Sequence, residues 1–466
     1  MGQYSDLDTQ NRRFDRIRFH PRSSPRSSWK YLWRAQLRAL FALLFLLLPL
    51  WSFSAEPIPP SSELEKRRSR IAVAEAEELV VLIAGGAEGE EVLKDYEYLT
   101  GLRSWGGVLI LEEVDGQQRS NLFLPPKDPS FELWHGPRAA PDAEALRLTG
   151  VSVVHPLPHL KTWLSQRRDQ IQRVYLASKN PKDSPKFFEV LKDSVEIVPA
   201  WRRIHPFRQI KSEWEIDQLR RAIHRTHQGL MAGAAIAANA NHEWEVEAAI
   251  EGCFRSLGSP APGFSSIVGS GERSCILHWQ ENNGELDRDG VLLMDVGARS
   301  GAYTADITRT VPVSGSWTDR QREVYEVVLE AQKAGIAAVK PGATMNSIDA
   351  AARKVITEAG FGKYFPHGTS HHVGMDVHDV GPRRPLAPGM VITIEPGIYI
   401  AEEKLGIRIE DMVRVTEDGV EVLSKGIPKS AEVMAKWVKS AGAVKPTSKE
   451  NPAPRDSKNP STQRLR

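Results

Sequence analysis

The sequence predicts a large α+β domain in the C-terminal half of the chain, preceded by a smaller α/β domain. Three observations predict this fold class. Short apolar strands alternate with helical and loop segments in residues 56–205. Helices with clear start and stop signals follow in residues 206–441, where two strand pairs also occur, at residues 291–311 and 390–415. A chain of 466 residues exceeds one average domain, so two or three domains are expected.

The first 55 residues predict an export signal. Before Ala39 the chain carries a net charge of +6, and because the whole chain carries +2, the remainder carries −4. A basic nucleic-acid surface on the folded body is therefore not indicated. The uncharged apolar run 39–51 is too short for an ordinary membrane span. Small residues follow it, which predicts cleavage near Ser54 or Ala55 and a periplasmic or extracellular protein, with an uncleaved membrane anchor as the alternative.

Residues 56–205 are predicted to form the α/β domain. Residues 62–76 are helix-like and are predicted to form a helix. Buried strands are expected over residues 79–84, 107–111 and 174–177. The glycines at positions 85 and 86 are not followed by the lysine and hydroxyl residue of a phosphate-binding loop, so no nucleotide site is indicated.

The second domain is predicted over residues 206–441. Ser212 and Glu215 have the spacing of a capping box and precede a helical stripe of apolar residues. Further helices are expected over residues 243–257, 319–339 and 347–360. Helices followed by an acid-bearing strand pair occur twice, which suggests an internal duplication. Residues 442–466 are polar and rich in proline and are predicted to form a disordered tail.

Each strand pair of this domain carries two acidic residues that are expected to face each other. A turn at residues 300–301 would place Asp295 directly opposite Asp306, and the second pair would place Glu395 opposite Glu410. Facing like charges repel each other across a β-ladder, and their burial costs further free energy. A divalent metal ion is the simplest cation that faces several carboxylates. The two pairs therefore predict a metal centre.

A histidine cluster lies between the two strand pairs. Four histidines occur within a dozen positions: His367, His371, His372 and His378. One neutral imidazole together with four carboxylates is too rich in oxygen for an ordinary structural zinc site. The set suits two divalent ions bridged by carboxylates, with Mn²⁺ favoured by the hardness of the ligands and zinc, cobalt or iron as alternatives.

The motifs that contain these residues resemble those of the pita-bread metallopeptidases, closest to aminopeptidase P and prolidase. The resemblance rests on five segments: MDVG, TADITRTVPV, HGTSHHVGMDVHDVG, PGMVITIEPGIYI and GIRIEDMV. It is strong over residues 208–433 and looser over residues 56–200, which resemble the smaller N-terminal domain of that group. It implies a pita-bread catalytic domain with two metal ions, in which Asp306 and Glu410 bridge. The full ligand set that it implies is Asp295, Asp306, His371, Glu395 and Glu410.

The same resemblance implies roles for the residues around these ligands. It places His278 and His378 where protons are moved and the developing oxyanion is stabilised. It places His367 near the substrate, so that all three histidines are expected to contact the peptide. Glu395 or Glu410 is implied as the general base. The residues expected to orient the ligands are Arg408 and Tyr399.

The resemblance also implies an activity, the release of the N-terminal residue from peptides with proline in the second position. An aminopeptidase is favoured over a prolidase because the N-terminal domain and residues 211–215 look closer to the aminopeptidase. A non-catalytic binding module is disfavoured because all five ligands are retained. Family members associate through the smaller domain, so a homodimer or homotetramer is expected.

Overall fold

The structure of the protein is a computed structural model that describes most of the predicted folded body. The described residues are 57–71, 73, 76–85, 93–103, 106–178, 188–191, 194–381 and 384–441. The predicted signal or anchor segment, residues 1–55, and the predicted tail, residues 442–466, lie outside them. None of the helices formed by the described residues is long and apolar enough to cross a membrane.

The N-terminal domain is built on one mixed six-stranded sheet. Its strands are β1 (Glu78–Ile83), β2 (Val108–Val114), β3 (Gln117–Leu124), β4 (Val153–Pro156), β5 (Arg173–Ala177) and β6 (Glu196–Pro199). The strand order is β4-β3-β2-β1-β5-β6, with β1–β2 and β2–β3 antiparallel and the other pairs parallel. The central strand β1 is apolar along its length because both of its faces are covered. The predicted α/β domain is thus confirmed.

Short helices cover both faces of this sheet. They are α1 (Ser61–Ser69), α2 (Lys94–Thr100), α3 (Pro129–His135), α4 (Ala143–Thr149) and α5 (Leu160–Ser165). Helix α5 packs on one face, and α2 and α4 pack on the other. The prediction of a helix over residues 62–76 was wrong at its C-terminal end, because α1 ends at Ser69. Ile71 and Val73 continue the apolar pattern, but they enter the core from the segment that follows the helix.

The second domain combines long helices with two interrupted hairpins. Its helices are α6 (Trp201–Arg208), α7 (Glu213–Ala237), α8 (Glu243–Ser256), α9 (Asp319–Ala337), α10 (Met345–Glu358) and α11 (Ala431–Ala441). The predicted capping box is present, with Ser212 Oγ accepting from the Glu215 N–H and the Glu215 carboxylate accepting from the Ser212 N–H. Helix α7 packs on α8, and α9 packs on α10, so that helix pairs precede both hairpins, as predicted.

The strands of this domain form small antiparallel sheets. They are β7 (Ile267–Ser270), β8 (Val291–Val296), β9 (Arg299–Ser300), β10 (Tyr303–Thr304), β11 (Ile307–Pro312), β12 (Val391–Ile394), β13 (Gly397–Ile400), β14 (Leu405–Arg408), β15 (Asp411–Val415) and β16 (Val420–Val422). The two three-stranded sheets have the orders β11-β8-β7 and β12-β15-β16, while β9 pairs with β10 and β13 pairs with β14.

The register of the first hairpin differs from the prediction. The turn lies one residue later than expected, with Gly301 in the left-handed region at a φ of 59°. Asp295 therefore lies opposite Thr308, and the prediction that it faces Asp306 directly was wrong. Side chains alternate along a strand with a period of two, so Asp306 and Thr308 belong to the same face. Asp306 is a diagonal neighbour of Asp295, and the two carboxylates still point to one side of the hairpin.

The register of the second hairpin is as predicted. Strands β12 and β15, and then β13 and β14, pair in one antiparallel register that puts Glu395 opposite Glu410. The ladder is interrupted at these two residues. Their main-chain N–H groups donate instead to the carbonyls of Thr369 and Thr308. The second hairpin is thereby joined both to the histidine segment, residues 367–381, and to the first hairpin.

Arg208, at the end of α6, connects the N-terminal domain to the histidine segment. Its buried guanidinium donates to Asp95 of α2 at 3.0 Å and to Asp376 and Asp379 at 2.7 Å. Lys211 Nζ also donates to Asp379, at 3.0 Å. Because a buried charge is costly without partners, these ion pairs favour one arrangement of the three segments.

Candidate metal centre

The structure brings the five predicted ligands together where the two hairpins and the histidine segment meet. Asp295 belongs to β8, Asp306 precedes β11, Glu395 follows β12 and Glu410 precedes β15. One side-chain atom from each of Asp306, His371 and Glu410 lies within 4.8 Å of the other two. Asp306 and Glu410 are only 4% and 1% exposed. Acidic residues this deeply buried require compensation by positive charge.

His371 is the imidazole at the middle of this cluster. Its Nε2 lies 3.3 Å from Asp306 Oδ2 and 3.3 Å from Glu395 Oε1. Its Nδ1 lies 3.1 Å from the carbonyl of His372, and its main-chain N–H donates to Thr393 Oγ1. A hydrogen bond from Nδ1 to a carbonyl leaves Nε2 as the nitrogen that faces the carboxylates, which is the arrangement of a metal-binding histidine.

Arg408 supports the carboxylates from one side. Its buried guanidinium donates to Asp295 Oδ2 at 2.6 Å, to the Tyr399 hydroxyl at 3.0 Å and to Thr308 Oγ1 at 3.0 Å. Thr308 in turn donates Oγ1–H to Glu410 Oε2 at 2.8 Å. One arginine therefore orients an acid of each hairpin, Asp295 directly and Glu410 through Thr308.

The carboxylates perturb one another's protonation. Burial, followed by the charge of Asp295, raises the pKa of Asp306 to about 6. Burial also raises the pKa of Glu395 to about 7, and it raises the pKa of Glu410 well above its ordinary value. Burial alone would lower the pKa of His371, but its contact with Asp306 raises the pKa to about 9. Without additional cations, the cluster holds protons that it would lose in water.

Two oxygens of the cluster show that the residues fit a metal ion. Within the part of the chain that the structure describes, Asp295 Oδ1 and Glu410 Oε1 are buried and have no hydrogen-bond donor. Buried polar atoms are rarely left without a partner in native proteins. Both oxygens belong to predicted ligands, and hard carboxylate oxygens are the donors that divalent cations such as Mg²⁺ and Mn²⁺ prefer. The donor set thus suits a divalent metal.

Two further histidines lie beside the ligands. The ring of His378 stands edge-on to that of His371, with centroids 4.4 Å apart. Burial lowers the pKa of His378, and the charges of His371 and His278 lower it further. His278 is exposed and reaches the same region from the loop that follows β7. The structure therefore places His378 against His371, and His278 close enough for its charge to act on His378.

His367 and His372 point in different directions. His367 Nε2 lies 2.9 Å from the Tyr399 hydroxyl, and its Nδ1 lies 4.0 Å from Glu395 Oε2, so it belongs to the centre. His372 points away from the centre, and its Nε2 lies 2.9 Å from Gln209 Nε2. His372 is not in the ligand set that the resemblance implies, and the structure places it on the side of the linker between the domains.

Two residues that hold the ligands from behind, Arg309 and Thr393, are absent from the predicted site. Arg309 is completely buried and donates to Asp411 Oδ1 at 2.8 Å and to the carbonyl of Glu410, so it clamps the second hairpin against the first. Thr393 Oγ1 accepts from the main chain of His371 and contacts Glu395. The available signal was a charged or hydroxyl side chain inside an otherwise apolar strand, close to a predicted ligand.

The metal-free protein should lose stability as the pH rises. The stabilisation that comes from the raised pKa of Asp306 is present at low pH and is lost between about pH 4 and 6. The corresponding stabilisation from Glu395 is lost between about pH 4.5 and 7. His371 loses its stabilising proton between about pH 6.5 and 9. A pKa change of one unit corresponds to about 1.4 kcal/mol. We expect the Tm of the chelator-treated protein to fall by roughly 10 °C between pH 5 and pH 8.

Thermal unfolding of the chelated and Mn²⁺-loaded proteins across this pH range is the measurement. The difference in Tm between the two should widen with pH, because deprotonated ligands repel each other only when no cation is present. A constant difference from pH 5 to pH 8 would contradict the proposed charge balance. The Asp217→Ala variant, which removes an exposed acid of α7, should behave as the wild type.

The site combines buried acids that require a cation with imidazoles that can transfer protons. This combination is typical of the active site of a metal-dependent hydrolase. Comparison with known proteins makes this class specific. The model for "Metallopeptidase family M24" matches residues 217–417, and that for "Aminopeptidase P, N-terminal domain" matches residues 93–175. The chain belongs to metallopeptidase family M24. The predicted fold, a pita-bread domain preceded by a smaller N-terminal domain, is thereby confirmed.

Relatives and solved structures agree with this assignment. Xaa-Pro aminopeptidase 3 of Mus musculus is 34% identical over 376 residues, which cover 72% of this chain and 74% of the relative. Xaa-Pro aminopeptidase 1 of Streptomyces coelicolor is 30% identical over 445 residues, which cover 82% and 88%. The structure of Pseudomonas aeruginosa aminopeptidase PepP matches with a TM-score of 0.78 at 29% identity over 83% of this chain and 99% of that one. Zinc-substituted Escherichia coli aminopeptidase P in complex with product matches with a TM-score of 0.77 at 28% identity, again over 83% and 99%.

Proposed function

We propose that the protein is an Xaa-Pro aminopeptidase, which releases the N-terminal residue from peptides with proline in the second position. One observation carries this proposal. Three buried acids, the half-buried Glu395 and His371 converge beside His278, His367 and His378, in a chain whose relatives are named Xaa-Pro aminopeptidases over most of both sequences. The same residues would serve a prolidase, so the length of the accepted peptide separates the two activities.

We propose two divalent metal ions as the cofactor, with Mn²⁺ as the native metal. The residues that would hold them are Asp295, Asp306, His371, Glu395 and Glu410, with Asp306 and Glu410 shared between the ions. When bound, such ions supply Lewis-acid activation of a water molecule and of the scissile carbonyl. Four carboxylates balance the charge of two divalent cations, and the hardness of their oxygens favours Mn²⁺.

The side chains around the ligands can perform the proton transfers of peptide hydrolysis. Glu395 is one of the two acids implied as the general base, and its carboxylate can accept a proton from the attacking water. His378 has a lowered pKa, so near neutrality its ring is neutral and can donate an N–H to the substrate carbonyl. His278 faces the same space. His367, whose Nε2 lies 2.9 Å from the Tyr399 hydroxyl, is proposed to contact the peptide.

Cleavage of a peptide bond that precedes proline requires a site different from that of most peptidases. The nitrogen of the Xaa-Pro bond carries no hydrogen, and the proline ring restricts the chain that precedes it. A peptidase that relies on the N–H of the scissile bond cannot bind this linkage in the usual way. In the proposed site, His278 and His378 interact with the carbonyl of the scissile bond, which does not require an N–H on the proline nitrogen.

Chelator-treated protein should lose its activity and recover it when Mn²⁺ is added. Two substrates are needed, an Xaa-Pro dipeptide and an Xaa-Pro-Xaa tripeptide, with release of the first residue followed by chromatography. We expect metal-dependent release from the tripeptide and little from the dipeptide, because an aminopeptidase site admits a chain beyond proline. The matched control is an Xaa-Ala-Xaa tripeptide, which should be cleaved at least tenfold more slowly, corresponding to about 1.4 kcal/mol.

Each alternative predicts a different outcome of the same assay. Cleavage of the dipeptide alone would replace the proposal with a prolidase. Cleavage of neither substrate with Mn²⁺, Zn²⁺ or Co²⁺ would indicate a non-catalytic binding module. Equal rates on the proline and alanine tripeptides would leave a metallopeptidase without proline preference.

The cellular setting and assembly are proposed from the sequence. The basic segment and the apolar run 39–51 support export, with removal near residue 54 or retention as an anchor. The N-terminal sequence of the natively produced protein distinguishes the two, and a cytoplasmic protein with an intact N-terminus would reject both. A homodimer or homotetramer is proposed from the family resemblance, and light scattering of the purified protein tests it.

A further inference from the structure

One buried carboxylate anchors the whole loop that carries His278. Glu243, the first residue of α8, is 0% exposed. Its Oε1 accepts hydrogen bonds from the Ser270 N–H and from Arg273 Nε–H, both at 2.7 Å. Its Oε2 accepts from the Trp279 indole N–H at 2.9 Å and from the Gly284 N–H at 2.8 Å. A carboxylate offers about four acceptor positions, and in Glu243 all four accept hydrogen bonds from residues 270–284. These residues are here named the His278 loop.

The donors are distributed so that they define the shape of the loop. Ser270 and Gly284 are its two ends, and Trp279 is the immediate neighbour of His278. Arg273 balances the charge of Glu243 from within the same loop. Position 284 has no room for a side chain, because a Cβ there would lie 2.0 Å from Arg273 Nε. The ion pair and the glycine thus form one closely packed anchor.

His278 has no comparable support of its own. Its side chain is exposed, and among the described residues nothing donates to or accepts from its ring. Its neighbours Leu277 and Trp279 pack against Leu293 and Tyr399 in a small apolar cluster. The position of the imidazole is therefore set by the main chain of the loop, and the loop is set by Glu243 and by this cluster.

We propose that Glu243 is a positioning residue for His278, which it holds in place at the metal centre through its four hydrogen bonds to the His278 loop. The inference rests on the proposed function, in which His278 contacts the peptide. A displacement of about 1 Å in a catalytic group can cost as much as a hundredfold in rate. Glu243 touches none of the proposed metal ligands, yet it controls kcat through the loop.

The first test compares the effect of Glu243→Gln in the presence and absence of His278. Glutamine keeps the shape of the side chain, but its NH₂ group faces two donors, so two hydrogen bonds are lost. We expect kcat on an Xaa-Pro-Xaa tripeptide to fall about tenfold, with metal content unchanged and KM within about twofold. In a His278→Ala background the same change should cost nothing further. Trp279→Phe, which removes the indole N–H and also part of the ring that packs in the apolar cluster, should give a loss in the same direction.

Glu245→Gln is the matched control on the same helical turn. Its half-buried carboxylate accepts from the Asn241 and His242 N–H groups and lies 3.5 Å from His242 Nδ1, and glutamine can fill the same capping position. Wild-type kcat is expected for this variant. The proposal is overturned if Glu243→Gln keeps wild-type kcat. It is also overturned if the substitution lowers kcat by the same factor with and without His278, since that is the signature of a structural defect.

A second readout does not depend on activity. Cys275 lies in the His278 loop and is half-buried, and the other cysteine can be removed as Cys253→Ser. With Glu243→Gln, Cys275 should react with a neutral maleimide several-fold faster, while Glu245→Gln should leave the rate unchanged. Equal rates would overturn the anchoring role. Absence of any Xaa-Pro hydrolysis by the wild type would instead count against the proposed function, so the two failures are distinguishable.

Discussion

Replacing Asp306 by alanine is expected to abolish peptide hydrolysis. Asp306 is buried next to Asp295, His371 and Glu410, and it is proposed to be shared by both metal ions. Loss of a shared ligand removes several kcal/mol of stabilisation from the reaction, which corresponds to a fall of at least about 10³-fold in kcat/KM. Steady-state kinetics on an Xaa-Pro-Xaa tripeptide, with metal content measured on the same sample, is the test.

The same variant has a second expected property that separates a ligand from a structural acid. Removing one of several repelling carboxylates should leave the metal-free variant at least as stable as the metal-free wild type at pH 8, although Mn²⁺ should raise its Tm much less. Asp217→Ala, an exposed acid of α7, is the control for loss of a carboxylate. Near-normal turnover by a fully metal-loaded Asp306→Ala protein would reject the ligand assignment.

Replacing His378 by alanine is expected to lower kcat by about 10²- to 10³-fold, with metal content unchanged. A positioned group that transfers a proton or donates to a developing oxyanion contributes factors of this size. His378 stands edge-on to His371 without being a proposed ligand, and it is exposed. Its pKa is lowered, so the limb of the pH–rate profile that reports this group should disappear in the variant.

Exogenous imidazole provides the decisive check on this role. Because the His378 position is exposed, free imidazole can enter the space left by the side chain and should restore part of kcat. His159→Ala, an exposed histidine of the N-terminal domain, controls for the loss of an imidazole elsewhere. A His378→Ala protein that binds metal normally and retains wild-type kcat would remove His378 from the mechanism.

Much of the local structure was predictable because it is encoded within a few residues. The Ser212–Glu215 capping box, the helix that begins at Glu243 and the strands around Asp295 and Glu410 all follow from caps, periodicity and turn residues. The prediction of a helix over residues 62–76 was wrong at its C-terminal end because it, too, relied only on local signals. The apolar period continued past the end of the helix, because Ile71 and Val73 also serve the core.

The register of the first hairpin could not be predicted from local sequence signals alone. Glycine at position 301 marked a turn, but which pair of residues forms its centre depends on the packing of both strands against their neighbours. The error moved the partner of Asp295 from Asp306 to Thr308. Because that shift preserves the face of the strand, the predicted grouping of the acids survived it.

The sequence by itself determined the chemistry of the protein: four acids on strand pairs and a histidine segment imply a metal centre wherever they meet. Only the tertiary structure decided how the ligands are held. Arg408 reaches Asp295 across 113 positions of chain, and Glu243 anchors the loop of His278 across 36. The physical reason is that caps and strand periods are set by neighbours in sequence. The partners of a buried charge are set instead by which distant segments pack together, because only packing removes the water that would otherwise solvate it.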